Sequence, residues 1–366
     1  MTKYGAEIKL DRRGKRLRYS SCCHEPRSHE PELKAFLFAF HMPLFFYLSG
    51  AVFRPKSIST WSFIKKKARS LLLPYFFFSA LSYVFWYFIV RHFSFSPGEG
   101  VNPVDPLSGI LISTPENYGL TYNPAIWFLT CLFVVELVFF LYHKASKGQG
   151  LWFFILFIGV AGYATTFLEY ALPWNGFVAL TALVFYGLGY KTKQIWSSLS
   201  WRMTIPVVTV LFLLVYTVQS LNAERIDMRA NIIGDGFYFY LAALIGITAF
   251  LLFVQKIDHS RSLLFLGKNS IVILVLHMPI LNVVRAVFHY GLGIDLSVAN
   301  TLPWTILFTA TTVLLTIPFI FLFNRFPWFL GKPQNKPMTR LKKRFIYRKK
   351  PLSKSGFFAR TNSKQS

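Results

Sequence analysis

Two histidines inside apolar stretches of the chain are the residues best suited to catalysis. His277 lies about thirteen residues into a stretch that begins near Leu264, and at roughly 1.5 Å per helical residue it would sit about 20 Å deep. Pro279 interrupts the backbone hydrogen bonds there and leaves room for polar groups to meet. An imidazole in that place can take the proton of a hydroxyl as its oxygen attacks a thioester carbonyl. The alternative is a neutral imidazole that hydrogen-bonds a neighbouring helix.

His41 and Arg285 are the other polar residues within or beside apolar stretches. His41 precedes Pro43 at a predicted first helical turn, so an interfacial histidine that faces lipid headgroups is favoured over a catalytic one. Arg285 needs a counter-charge or a wet cavity. Metal-ligand spacings, a Gly-x-Ser-x-Gly motif and phosphate-binding glycine loops are absent from the sequence, and the three cysteines form no metal motif. We therefore predict no metal site.

Several basic and aromatic residues could hold an anionic substrate. Arg69 and Lys66 would be neighbours on one helical face and could clamp phosphate, although a charge run of this kind is usually a solvated loop that sets topology. Lys268 and Asn269 could act in the same way, or Asn269 could simply cap a helix. Trp127 is a further candidate for a donor contact, with an interfacial aromatic anchor as the simpler interpretation.

Composition shows what must position these residues. The chain is 54% hydrophobic and 15% charged, too few charges to cover a water-soluble protein of 366 residues. About nine hydrophobic windows each have a length suited to a membrane helix. An all-α polytopic membrane helix bundle is therefore predicted, with windows at 35–53, 71–90, 124–142, 151–168, 173–190, 203–220, 236–255, 264–288 and 303–323.

The net charge of +25 is distributed by side, which favours a topological origin over nucleic-acid binding. The basic loops and the tail after Pro333 are predicted to be cytoplasmic, with the tail attracted to anionic membrane lipid. The loop 93–123, rich in Pro, Gly and Asn, is expected to be an irregular extracytoplasmic loop. We divide the chain into a basic, irregular segment 1–34, a membrane bundle 35–325 and a basic, disordered cytoplasmic tail 326–366.

Four stretches in order resemble the acyltransferase-3 family, with its sugar O-acetylase branch the nearest match. They are FHMPLFFYLSG (40–50), KKKARSLLLPY (65–75), IWFLTCLF (126–133) and LGKNSIVILVLHMPI (266–280). The resemblance implies about ten helices in a bacterial inner membrane, an acyl-CoA donor (acetyl-CoA in that branch) on the cytoplasmic side, and a carbohydrate or other hydroxyl acceptor reached from the other side. A transporter or flippase for an envelope precursor, and an inactive remnant, are the alternatives.

The first helix of that family has no counterpart among the hydrophobic windows. The family's favoured catalytic histidine ends that helix, and His24 precedes Phe40 by about the corresponding distance. Both basic ends of the chain should be cytoplasmic, which requires an even number of spans. We expect residues 1–23 to replace the family's first helix, through a frameshift or a misassigned start. The chain as written should then insert in the membrane with little transferase activity, and a grafted first helix ending at His24 should restore it.

Overall fold

The computed structural model describes residues 32–55, 57–93, 101–113, 120–168, 170–193, 200–222, 224–257, 260–295 and 301–332. The described part is an all-α polytopic bundle without a β-strand, as predicted. His24, the segment 1–31 and the tail from 333 onward lie outside the described residues. The helices are α1 (Glu32–Ala51), α2 (Thr60–Lys67), α3 (Leu73–Phe88), α4 (Val104–Ile112), α5 (Trp127–Ser146), α6 (Leu151–Ala164), α7 (Gly176–Thr192), α8 (Trp201–Leu221), α9 (Gly236–Val254), α10 (Arg261–Lys268), α11 (Ser270–Ala286) and α12 (Leu302–Arg325).

Within the described residues, seven helical stretches are long and apolar enough to cross a membrane. One of them, Thr60–His92, joins α2 to α3 through a π-helical turn at Ala68–Leu72. The predicted windows 151–168 and 173–190 form shorter apolar helices, α6 and α7, of 14 and 17 residues. Hydropathy therefore located the seven long spans and the two shorter helices α6 and α7, but it missed the short apolar helix α4.

Close backbone contact between α1 and α7 forms the centre of the bundle. Gly50 lies against the backbone carbonyl of Tyr186, and Gly189 lies against the backbone carbonyl of Tyr47. A Cβ atom at either glycine would overlap the opposing carbonyl oxygen, so both positions require glycine. The Ser-Gly pair at the end of FHMPLFFYLSG is thus a packing feature of the helix interface.

The predicted span 264–288 is divided in two. Asn269 ends the short helix α10, which buries none of its residues, and α11 begins at Ser270. α10 is amphipathic, with Arg261 and Lys268 exposed and Phe265 and Leu266 half-buried, which fits an interfacial position beside a membrane span. His277 therefore lies seven residues, about 10 Å, beyond the first residue of α11, and not thirteen residues into an unbroken helix as predicted.

The chain between α3 and α5 is also unlike the irregular outer loop that was predicted. Its described parts, 101–113 and 120–123, include the helix α4 and buried residues such as Val101, Pro106 and Leu120, although one face of α4 is exposed. The Tyr75 hydroxyl donates to the carbonyl of Ile110 at 2.9 Å, and the Asn175 amide donates to the carbonyl of Ser113 at 2.6 Å. Both bonds lie at the C-terminal end of α4, where they satisfy carbonyl groups that the helix itself leaves unpaired.

Candidate active site

The start of α5 is the point where three helices meet. The Asn123 side-chain amide donates to the Ser82 hydroxyl of α3 at 3.0 Å and to the Val275 carbonyl of α11 at 2.7 Å. Next to it, Trp127 is 5% exposed and packs against Phe46 of α1 at a ring-centroid distance of 6.3 Å. The interpretation of Trp127 as an interfacial anchor was therefore wrong, because its ring is inside the bundle.

His277 is half-buried on α11, two residues beyond the carbonyl that Asn123 binds. Its Nδ1 atom lies 2.9 Å from the Leu274 carbonyl oxygen and 3.1 Å from that of Ile273. A carbonyl oxygen only accepts hydrogen bonds, so Nδ1 carries the proton and the lone pair of the neutral imidazole is on Nε2. The hydrogen bonds of the ring run to its own helix, and Nε2 has the protonation state required of a general base.

His41 has the same arrangement on α1. It lies in the middle of the helix, with Pro43 inside the helix as well, so the predicted first-turn position was wrong. Its Nδ1 atom donates to the Leu37 carbonyl at 2.8 Å, which again leaves the lone pair on Nε2. The ring is half-buried and lies 5.0 Å from the ring of Phe38.

The start of α5 connects the helices of the two histidines. Phe46, which touches Trp127, lies five residues after His41 on α1. Val275, which accepts from Asn123, lies two residues before His277 on α11. No contact joins the two imidazoles directly in the described part of the chain. The segment from Asn123 to Trp127 thus fixes the helices of both candidate bases relative to each other.

The basic end of the bundle, where α2 begins and α1, α5, α7 and α12 end, carries the candidate phosphate ligands. Lys66 and Arg69 are both exposed. Between them, Lys67 forms an ion pair with Glu136 of α5 at 2.6 Å, and the side chain of Glu136 is only 9% exposed. The ion pair removes Lys67 from donor binding and holds α2 against α5. Lys66 and Arg69 are left available to an anion.

Arg69 lies in the π-helical turn Ala68–Leu72. Its backbone carbonyl is covered by Gly331, which has a positive φ of 64° and no room for a Cβ atom. π-helical turns inside α-helices are frequent at functional sites, because the extra residue re-aims a side chain. The segment after α12 therefore holds the backbone of Arg69 while its guanidinium stays exposed.

Lys268 and Asn269 differ from one another in environment. Lys268 is exposed, whereas Asn269 is 6% exposed. The Asn269 amide donates to the Phe265 carbonyl at 2.8 Å, and its side-chain oxygen accepts from the amide of Asn324 at 2.9 Å. Asn269 therefore does not cap the start of α11 with its side chain. Its polar atoms link α10 to α12, and Lys268 is the member of the pair that faces solvent.

Comparison with known families identifies the family of this chain. A family model described as an acyltransferase domain, that of acyltransferase-3, matches residues 21–322. The chain belongs to the acyltransferase-3 family. It is thus an integral membrane acyltransferase that transfers groups other than aminoacyl groups. No curated protein and no solved structure matches the chain.

This acyltransferase also contains a buried polar cluster that the sequence analysis missed. Tyr75, Ser79 and Ser82 follow one face of the helix that includes α3, and they meet Tyr122 and Asn123. The hydroxyls of Ser79 and Tyr122 and the side-chain oxygen of Asn123 have no hydrogen-bond partner in the described part of the chain. Burial raises the pKa of Tyr122, so its phenol remains a neutral donor. In the sequence, the helical spacing of Ser79 and Ser82 was the signal that could have revealed this cluster.

Arg285 is half-buried on α11, two turns beyond His277. Among the described residues no ion pair includes Arg285, so the expected counter-charge is not found there. The bonds described above bring together the helices of His277 and His41 with Trp127. They leave Lys66, Arg69 and Lys268 at solvent-exposed positions of the basic end.

Proposed function

We propose that this acyltransferase moves an acyl group, acetyl in the first instance, from acyl-CoA to a hydroxyl of a carbohydrate or other cell-envelope acceptor. The observation that carries the proposal is the Nε2 lone pair of His277, which the Nδ1 bonds to Leu274 and Ile273 leave available inside a membrane bundle of this family. An imidazole so oriented suits the removal of a proton from an alcohol.

The reaction assigns one role to each group. Nε2 of His277 takes the proton of the acceptor hydroxyl as the oxygen attacks the thioester carbonyl. The tetrahedral intermediate collapses, the carbon–sulfur bond breaks, and the imidazolium returns the proton to the leaving thiolate of CoA. The ester product and free CoA balance the two substrates. His41, with the same tautomer, is the second candidate for the base.

Donor binding is proposed at the basic end. The exposed side chains of Lys66 and Arg69 suit the diphosphate of acyl-CoA, and Arg69 can hold two phosphate oxygens at once. Lys268 supplies a further cation at the mouth of α11, while Trp127 lies further inside, between the helices of the candidate bases. We place the basic end and the C-terminal tail on the cytoplasmic side of a bacterial inner membrane, because the lysines and arginines cluster there.

Labelled acetyl-CoA turnover in membranes tests the proposal. The assay uses the chain as printed and a chain with a family-type first helix grafted ahead of His24, since little activity is expected without that helix. Membranes with the more active form should transfer label to an acceptor fraction and release CoA, and His277→Gln in that form should lower the rate about 10²–10⁴-fold. His289→Gln is the matched control, since His289 lies in the π-helical turn beyond α11. Movement of an unmodified precursor across the membrane without ester formation would support a transporter instead.

A further inference from the structure

A cavity of about 290 Å³ lies at the basic end, away from the histidines. It is formed by the connection between α1 and α2 and by the last turns of α5, with Phe53, Ile58, Phe140, His143, Lys144 and Lys147 among its lining residues. Lys144 is seventeen residues beyond Trp127 on α5, about 25 Å along the helix. The cavity is therefore distinct from the site around His277.

One wall of the cavity is apolar and aromatic. Phe140 is buried and stacks on Phe63 of α2 with ring centroids 4.0 Å apart and an interplanar angle of 6°. Phe53 is buried and meets Phe139 edge-on at 5.3 Å. These contacts hold both rings in place before any ligand arrives, and such a wall suits a planar heterocycle.

Two lysines are also among the residues that line the cavity. Lys144 donates to the Thr60 hydroxyl at 2.8 Å, and Lys147 ends α5 in a left-handed conformation with φ of 55°. The His143 ring is placed by a 3.1 Å hydrogen bond between its Nε2 and the Tyr190 hydroxyl. Among the described residues that line the cavity there is no carboxylate. Lysines near a helix C-terminus also offset the helix dipole, but that role needs neither a cavity nor an aromatic wall.

The cavity lies near the start of α2, the helix that leads to the proposed diphosphate ligands. Thr60, which binds Lys144, begins α2, and Lys66 and Arg69 lie six and nine residues further, about 9 and 13 Å along the helix axis. Long lysine and arginine side chains shorten these separations. A ligand with one phosphate in the cavity and a second anionic group toward Arg69 is therefore complementary to this surface.

We propose that the cavity binds the 3′-phosphorylated adenosine end of the acyl-CoA donor, with the base against Phe53 and Phe140 and the 3′-phosphate on Lys144 and Lys147. The inference rests on the proposed function, in which acyl-CoA is the donor. It deepens that function by assigning the end of the donor farthest from the thioester. An anionic phospholipid carries the same phosphate chemistry, and the experiment distinguishes the two sources.

The test measures the affinity of the purified chain for CoA and for 3′-dephospho-CoA. Wild-type protein should bind CoA about tenfold to a hundredfold more tightly, because the 3′-phosphate makes charge-assisted hydrogen bonds. The variant Lys144→Ala/Lys147→Ala should bind both ligands equally. The charge-matched control Lys191→Ala/Arg202→Ala removes two exposed cations outside the cavity and should keep the wild-type discrimination.

Three outcomes overturn the assignment. The first is a cavity variant that still discriminates CoA from 3′-dephospho-CoA as the wild type does. The second is the same unchanged discrimination in a cavity variant that has lost the wild-type preference for anionic over zwitterionic lipid in nanodiscs, which would make the cavity a lipid site. The third is no CoA binding at all, which overturns the proposed function as well. Discrimination that depends on Lys144 and Lys147, without acyl transfer by either the printed chain or a form with a grafted first helix, would support the cavity and contradict the proposed function alone.

Discussion

The ion pair between Lys67 and Glu136 gives the most direct test of how α2 is held on α5. Lys67→Ala leaves a carboxylate whose side chain is only 9% exposed without its partner, which lies 2.6 Å away. Breaking a buried pair in this way costs about 3–5 kcal/mol. Since the lysine side chain is 25% exposed, solvent screens part of the interaction and we expect the lower end, about 3 kcal/mol.

Substitution of the acidic partner should cost less stability than substitution of Lys67. Glu136→Gln leaves a lysine at the basic end whose long side chain can turn its amine toward water. The double variant Lys67→Met/Glu136→Leu replaces both charges by apolar groups of similar size and should lie within about 1 kcal/mol of the wild type. The expected order of stability is therefore wild type and double variant first, Glu136→Gln next, and Lys67→Ala last.

Unfolding by SDS titration, followed by tryptophan fluorescence, measures these differences in mixed micelles. A loss of about 3 kcal/mol corresponds to a more than hundredfold change in the unfolding equilibrium, well above the resolution of the assay. Lys67→Ala, Glu136→Ala and the double alanine variant complete a double-mutant cycle that isolates the coupling energy of the pair. Lys67→Ala within about 0.5 kcal/mol of wild type, or a double variant as unstable as Lys67→Ala, would refute the reasoning.

Three further predictions concern a close helix contact, a buried hydrogen-bonding side chain and an exposed arginine. Gly189→Ala places a Cβ atom on the Tyr47 carbonyl and should destabilise the bundle by about 1–3 kcal/mol in the same assay, whereas Gly159→Ala, with its nearest neighbour at 3.4 Å, should be tolerated. Asn123→Ala should cost about 1–3 kcal/mol because it removes two buried bonds, whereas Ser79→Ala should be neutral; equal losses would contradict this. Arg69→Ala should raise the KM for acyl-CoA, with partial rescue by Arg69→Lys, and an unchanged KM would leave Arg69 a topological charge.

Hydropathy and charge were sufficient for the fold class and for the positions of the spans. Long apolar runs specify membrane helices almost without context, because unsatisfied backbone is excluded from lipid. The predicted helix boundaries were wrong where a polar residue divides an apolar stretch. Asn269 interrupts an apolar run through bonds to Phe265 and Asn324, and hydropathy averaged over a window does not register one polar residue.

Proline and aromatic rules account for two of the site errors. Pro43 was placed at a first turn by a preference taken from soluble helices, but proline is tolerated inside membrane helices and α1 begins at Glu32. Trp127 was placed at the interface because tryptophan is common there, but the start of α5 is itself buried against α1 and α11. Local composition does not reveal a helix start inside the bundle.

The buried polar cluster was out of reach for a related reason. The loop 93–123 has the composition of an exposed loop, and its inward position depends on distant partners such as Tyr75 and Asn175. His277 was identified because an ionisable residue in an apolar run is costly and therefore informative. The contact between its helix, α11, and the start of α5 could not be predicted, because it depends on the hydrogen bond from Asn123 to Val275.

Acyl transfer from labelled acetyl-CoA by His277→Ala membranes tests the central claim most directly. The comparison is made in the chain as printed and in a chain with a family-type first helix grafted ahead of His24, because the sequence analysis predicts low activity without that helix. In the more active form, His277→Ala should lower the transfer rate about 10²–10⁴-fold while CoA binding stays at the wild-type level. Wild-type turnover by His277→Ala, or no transfer by either form, would contradict the account.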